Sequence, residues 1–158
     1  MSNLEEIEAI KQLKYKYFRC VDKRLWDELA ECLTADAVAR YSGGKYAFNG
    51  RDQIIGFLKK GMPQTLLTMH HGHHPEIKLT GPNTARGIWA LEDYVIDLTR
   101  NTTLHGAAFY EDEYLKANGE WKIKSTGYDR TFEEVWQRGD IPSLKVTSNM
   151  FAPRTKPA

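Results

Sequence analysis

The chain has 158 residues, enough for one domain that buries about 70% of the surface its unfolded form exposes. Its 22 basic and 21 acidic side chains leave a formal charge of +1, so no global field argues for nucleic acid or an anionic membrane, and a small, largely uncharged ligand fits better. Charges run through the first 30 residues and no apolar stretch approaches the ~20 residues of a membrane span, which predicts a soluble cytoplasmic protein. The two cysteines, Cys20 and Cys32, fall on apolar faces of predicted helices and read as buried reduced thiols without a chemical role.

Ser2-Asn3-Leu4-Glu5 is a capping-box pattern, and Leu4, Ile7, Ile10, Leu13, Tyr17 and Val21 then recur every three or four residues, predicting a long amphipathic helix. Asp22 to Trp26 opens a second, shorter helix with Trp26, Leu29, Cys32 and Leu33 inward. Alternation from Asp36 to Asn49 around Ser42-Gly43-Gly44-Lys45 predicts a hairpin, and Gly50-Arg51-Asp52 starts a third helix that Gly61 and Pro63 stop. Beyond Pro63, turn signals at Thr80 to Asn83, at Arg100-Asn101 and at Asn118-Gly119 separate four long strand-like segments joined as a meander.

Helices first and a long antiparallel sheet afterwards define an α+β class, the sheet curving at Gly87, Gly106 and Gly127 over one long and two shorter helices to enclose a cone. Residues 1–151 are expected to form this domain, and 152–158 a flexible tail.

Several polar residues stand in apolar surroundings. Tyr17 shares the inward stripe of the first helix, where it is either a core tyrosine bonded to a backbone carbonyl or a donor to a ligand. Asp22 lies where that helix ends, and a carboxylate at the negative end of a helix dipole calls for compensation. It either caps the next helix or orients a facing histidine. Four of the five histidines, His70, His71, His73 and His74, fall in Met69 to Ile77, and periodicity does not choose among them because Gly72 and Pro75 interrupt the alternation. Neighbouring strand residues point to opposite faces and no cysteine or distant histidine motif completes a tetrahedral shell, so no metal is expected there. Asp93 alternates with Trp89, Leu91 and Val95 and therefore needs a partner or a water. Plain alternation from Trp121 puts Arg130 on the solvated face unless a bulge at Gly127 turns it inward.

Taken together, these segments resemble the SnoaL-like branch of the cone-shaped α+β barrels, and within it the bacterial bile acid 7α-dehydratases. The matching stretches are Ile-Glu-Ala-Ile-Lys from Ile7, Lys16 to Asp22, Trp26 to Leu29, Met69 to Ile77, Leu91 to Asp93, Gly106 to Tyr110 and Gly127 to Arg130, and they span nearly the whole chain. His71, His74 and a shorter turn after Leu98 depart from that pattern.

The resemblance implies a catalytic tyrosine at Tyr17, an Asp-His pair at Asp22 and His70, supporting roles for Asp93 and Arg130, and a lining tyrosine at Tyr41. It implies a homotrimer and a cofactor-free dehydratase acting on a 7-hydroxy-3-oxo-4-ene steroid. Isomerisation, cyclisation and non-catalytic binding of a hydrophobic ligand are the alternatives the same fold hosts. Tyr41, Trp89, Phe109 and Tyr110 are the aromatic candidates for the apolar wall such a ligand requires. More distantly, scytalone dehydratases and hexachlorocyclohexane dehydrochlorinases share the fold, an Asp-His base and elimination chemistry.

Overall fold

A computed structural model describes residues 2–153. The capping box forms as the sequence predicts: the Ser2 hydroxyl accepts from the Glu5 amide and the Glu5 carboxylate accepts from the Ser2 amide. It opens α1 (Asn3–Lys23), whose buried residues Ile10, Lys14, Tyr17, Phe18, Cys20 and Val21 make one face, while Leu4, expected inward, is 78% exposed before the sheet begins to cover the helix. Asp22 belongs to the last turn of α1 and does not cap the next helix. Arg24 ends α1 in the left-handed conformation, and α2 (Trp26–Glu31) follows with no side-chain cap.

The hairpin is β1 (Leu33–Tyr41) with β2 (Tyr46–Asn49), and α3 (Arg51–Gly61) buries Ile54 and Leu58. Four long strands complete the sheet: β3 (Leu66–Gly81), β4 (Thr84–Asp97), β5 (Thr102–Ala117) and β6 (Glu120–Gln137). The order is β2-β1-β6-β5-β4-β3. All pairs are antiparallel except β1 with β6, which is parallel. Tyr17 of α1 meets Tyr41 of β1 and Tyr110 of β5, and Phe18 meets His70 of β3, so the sheet closes around the helix from both edges.

The strands do not bulge at the three glycines. Register shifts in the four long strands fall instead at His74-Pro75, which together face the single residue Trp89, at Thr80, at Lys124, and at Thr131. Gly87 lies 3.1 Å, measured from a notional Cβ, from the Tyr114 ring, and Gly106 lies under the Asp93–Arg130 pair. At Gly127 such an atom would run into the Arg40 carbonyl of the neighbouring strand, whose backbone cannot rotate away. Gly127→Ala is therefore expected to destabilise the fold by about 1–3 kcal/mol, the usual cost of overpacking, as a lowered urea midpoint at unchanged slope.

The thiols of Cys20 and Cys32 are buried and unpaired with each other, and burial pushes Cys32 up to about 12, far from thiolate formation at neutral pH. After a short 3-10 turn at Arg138–Asp140 the chain returns toward α1, where the Phe151 ring stacks 5.4 Å from the Arg24 guanidinium. The expected flexible tail falls mostly on residues 154–158, which lie outside the described residues. Among the described residues no helix is long and apolar enough to cross a membrane.

Candidate active site

The end of α1 and the start of β3 are tied together by Arg24. Its Nη1 donates to the carbonyls of Val21 and Asp22 and to Thr68 Oγ1, its Nε to the Met62 carbonyl, and its Nη2 to the Leu66 carbonyl. This network holds a non-glycine residue at φ 61, and it places Thr68 over Asp22.

The Asp22 carboxylate then accepts three hydrogen bonds: Thr68 Oγ1 donates to Oδ1 at 2.8 Å, the His70 amide to Oδ2 at 2.9 Å, and His70 Nδ1 stands 2.6 Å from Oδ1. The short Nδ1 contact fixes the tautomer with its proton on Nδ1, which leaves Nε2 as the basic nitrogen. Of the four histidines only His70 bonds Asp22. Its ring runs parallel to that of Phe18 at 6.4 Å and forms part of a cavity wall.

That cavity measures about 160 Å³ and is partly open to solvent. Tyr17, Phe18, Tyr41, Phe57, Tyr110 and Tyr128 give it an aromatic lining, and His70 adds an imidazole. The Tyr17 and Tyr41 hydroxyls lie 3.0 Å apart, so one donates to the other and the second keeps a proton for the cavity. Burial pushes both phenols, and that of Tyr110, above their ordinary range, so all three remain protonated donors at neutral pH.

Asp93 faces His70 directly across the β3–β4 ladder, and Arg130 grips its carboxylate with both terminal nitrogens, at 2.5 and 2.8 Å. The side chain reaches it over Gly106, where a Cβ would stand 2.9 Å from Asp93 Oδ1. Arg130 does point inward, but the bulge responsible lies at Lys124: Trp121 and Ile123 are buried before it, Thr126 after it, so the parity of β6 inverts three residues earlier than expected. The paired carboxylate raises the Arg130 guanidinium further above its ordinary value.

Two of the four aromatic candidates for the wall lie elsewhere. Phe109 alternates to the outer face of the sheet and is 50% exposed. Trp89 is fully buried, but its Nε1 donates to the Tyr114 hydroxyl at 2.9 Å and its ring meets Tyr15 edge-on, away from the cavity lining. Tyr41 and Tyr110 do line it.

Beneath the lining lies a group that the sequence reading passed over. Lys14 and Asp112 form an ion pair at 2.7 Å with both side chains 0% exposed. The ammonium stands 3.8 Å from the Tyr110 ring centroid and 4.7 Å from that of Tyr17, while Asp112 also accepts from Tyr114 and Thr126. Burial draws the lysine below its ordinary value and the carboxylate opposes this. A signal existed. Lys14 continues the Ile10, Tyr17, Val21 periodicity, and Asp112 alternates with Tyr110 and Tyr114, so opposite charges occupy two core positions.

The α+β cone thus holds a partly open aromatic pocket with an imidazole–carboxylate pair in its wall. The chain belongs to the SnoaL-like domain family, which matches residues 2–127. Its backbone is similar to that of a type 2 hexachlorocyclohexane dehydrochlorinase, with a TM-score of 0.77 at 21% identity over 84% of this chain and 90% of that one. A candidate scytalone dehydratase from Novosphingobium aromaticivorans superposes with a TM-score of 0.77 at 20% identity over 96% and 97% of the two chains. A type 3 hexachlorocyclohexane dehydrochlorinase from Novosphingobium barchaimii gives 0.73 at 20% identity over 84% and 91%. At these identities the likeness is one of fold.

Proposed function

We propose that the protein is a cofactor-free lyase that removes a proton and a leaving group from a hydrophobic cyclic substrate, with His70 as general base. The observation that carries this reading is the His70 ring, anchored through Nδ1 to Asp22 and set in the wall of an otherwise aromatic cavity. The names of the similar structures, which include dehydrochlorinases and a dehydratase, support the reaction class.

The concrete substrate we propose is a 7α-hydroxy-3-oxo-4-ene steroid. The enone acidifies the C6 proton, which His70 Nε2 takes while the electron pair enters the conjugated system as a dienolate. Collapse of the dienolate breaks the C7–O bond, and the imidazolium returns the proton to the departing oxygen, releasing water and the 4,6-diene. Asp22 stabilises the imidazolium between the two steps, and the Tyr17–Tyr41 pair donates a hydrogen bond to a substrate oxygen. Asp93, held by Arg130, sets the electrostatic field on the neighbouring strand. A cavity of about 160 Å³ has room for one ring at the reacting carbons, and in this reading the rest of the steroid extends through its open side.

The same volume favours a second reading, in which a smaller cyclic alcohol, halide or polyketide undergoes elimination or isomerisation at the same base. A cavity of about 150 Å³ holds a single benzene ring. The test is to offer the 4-ene steroid and follow ultraviolet absorption, which moves to longer wavelength as conjugation lengthens. The saturated 3-hydroxy analogue should be inert because its C6 proton is not acidified. Exchange of the C6 proton for solvent deuterium without elimination would keep the base and change the leaving group; no exchange with either compound would sink the steroid assignment.

Tyr17→Phe removes one hydroxyl of the donor pair and is expected to lower kcat about 10²–10³-fold with little change in KM, as loss of a single transition-state donor does. Steady-state kinetics check this, and an unchanged kcat would assign Tyr17 to packing.

We also propose a homotrimer formed through the outer face of the sheet, where Ile88, Tyr94, Phe109 and Phe132 are each 39–51% exposed. Sedimentation at micromolar concentration should give the trimer mass, and a monomer would contradict it.

A further inference from the structure

On the face of the sheet opposite His70, β3 and β4 bring His71, His73 and Glu92 together. His71 and His73 are two residues apart on one strand and so point the same way, and Glu92 is the ladder partner of His71. The alternation that keeps four neighbouring histidines from converging is what aligns these two. One donor atom from each of the three residues lies within 4.8 Å of the other two, and His73 Nε2 is already 3.6 Å from Glu92 Oε2. Zinc bonds of about 2.0–2.1 Å in a tetrahedron place donors about 3.3 Å apart, a closure that side-chain rotation of exposed residues supplies without moving the backbone.

Glu92 is also held from behind. Its Oε1 bonds His105 Nε2 at 3.0 Å, and His105 Nδ1 in turn stands 3.3 Å from Glu134. Such partners orient a ligating carboxylate.

We propose that His71, His73 and Glu92 form a binding site for a divalent transition metal of zinc-like preference, two imidazoles and one carboxylate leaving a further position to water. The site departs from the metal-free expectation for the histidine block. It is separate from the Asp22–His70 pair, which lies on the inner face, it adjoins Tyr94 and Phe132 of the proposed trimer face, and it does not rest on the proposed reaction.

The test is calorimetric titration of untagged, chelator-stripped protein with zinc chloride at neutral pH. Wild-type protein should bind one ion per chain, His71→Ala and His73→Ala should each weaken binding by at least about tenfold, and the double variant should abolish it. His70→Ala should bind as wild type does. The proposal is overturned by absence of saturable binding in the wild type, by unaltered affinity in the double variant, or by loss of binding in His70→Ala, which would move the ion to the inner site. All variants carry surface or cavity-wall changes, and circular dichroism before titration verifies the fold.

Discussion

Replacing His70 by alanine is expected to lower turnover by about 10²–10⁴-fold while the protein still folds, because the base is lost and no second imidazole takes its place. His71 and His73 project from the outer face and His74 occupies the bulge at φ 26, so none of them bonds Asp22 or lines the cavity. Asp22→Asn should approach the same loss by a different route. An amide in that position cannot accept from Thr68, the His70 amide and Nδ1 through two oxygens, so the tautomer is no longer held and the imidazolium loses its counter-charge. The measurement is C6 deuterium exchange alongside diene formation, with circular dichroism to verify folding. If His70→Ala retained wild-type exchange, the base would lie elsewhere. A wild-type protein that neither exchanges nor eliminates, with a hydrophobic ligand bound equally well by the wild type and by the Asp22 and His70 variants, would instead mark a ligand-binding protein.

Lys14→Met is expected to destabilise the fold by about 3–5 kcal/mol, the cost of leaving one member of a buried ion pair without its partner. Methionine replaces most of the aliphatic volume, so the loss comes from the Asp112 charge, which keeps only its hydrogen bonds from Tyr114 and Thr126. Adding Asp112→Leu should recover part of the stability, since an apolar pair of similar volume avoids the desolvation of two ions. Urea denaturation of the two single variants and the double variant gives the coupling directly. A single variant within about 0.5 kcal/mol of wild type would show that the pair is not energetically coupled to the fold.

The two pairs explain why parts of this molecule are readable along the chain and parts are not. The elements themselves were legible because their signals are local. A capping box, a three-to-four-residue apolar stripe and turn dipeptides act through contacts a few residues apart, and α1, the hairpin, α3 and the four strands all lie where those signals put them. Tyr17 was legible for the same reason, and so was Asp93, since each shares a buried face with its neighbours of matching period.

Which histidine meets Asp22 was not legible locally, because it depends on how the end of α1 seats against β3, and that is set by Arg24 bridging residues more than 40 positions apart. Only the resemblance pointed to His70. The inward turn of Arg130 depended on a one-residue bulge at Lys124 that no glycine announces, since a bulge is a property of two strands in register and not of one. Trp89 and Phe109 suit the wall by residue type, yet strand parity turns Phe109 outward and Trp89 lies away from the cavity lining. Periodicity specifies which side of an element is buried; only the packed sheet decides whether that side meets solid core, a cavity or an oppositely charged partner, because those neighbours come from distant parts of the chain.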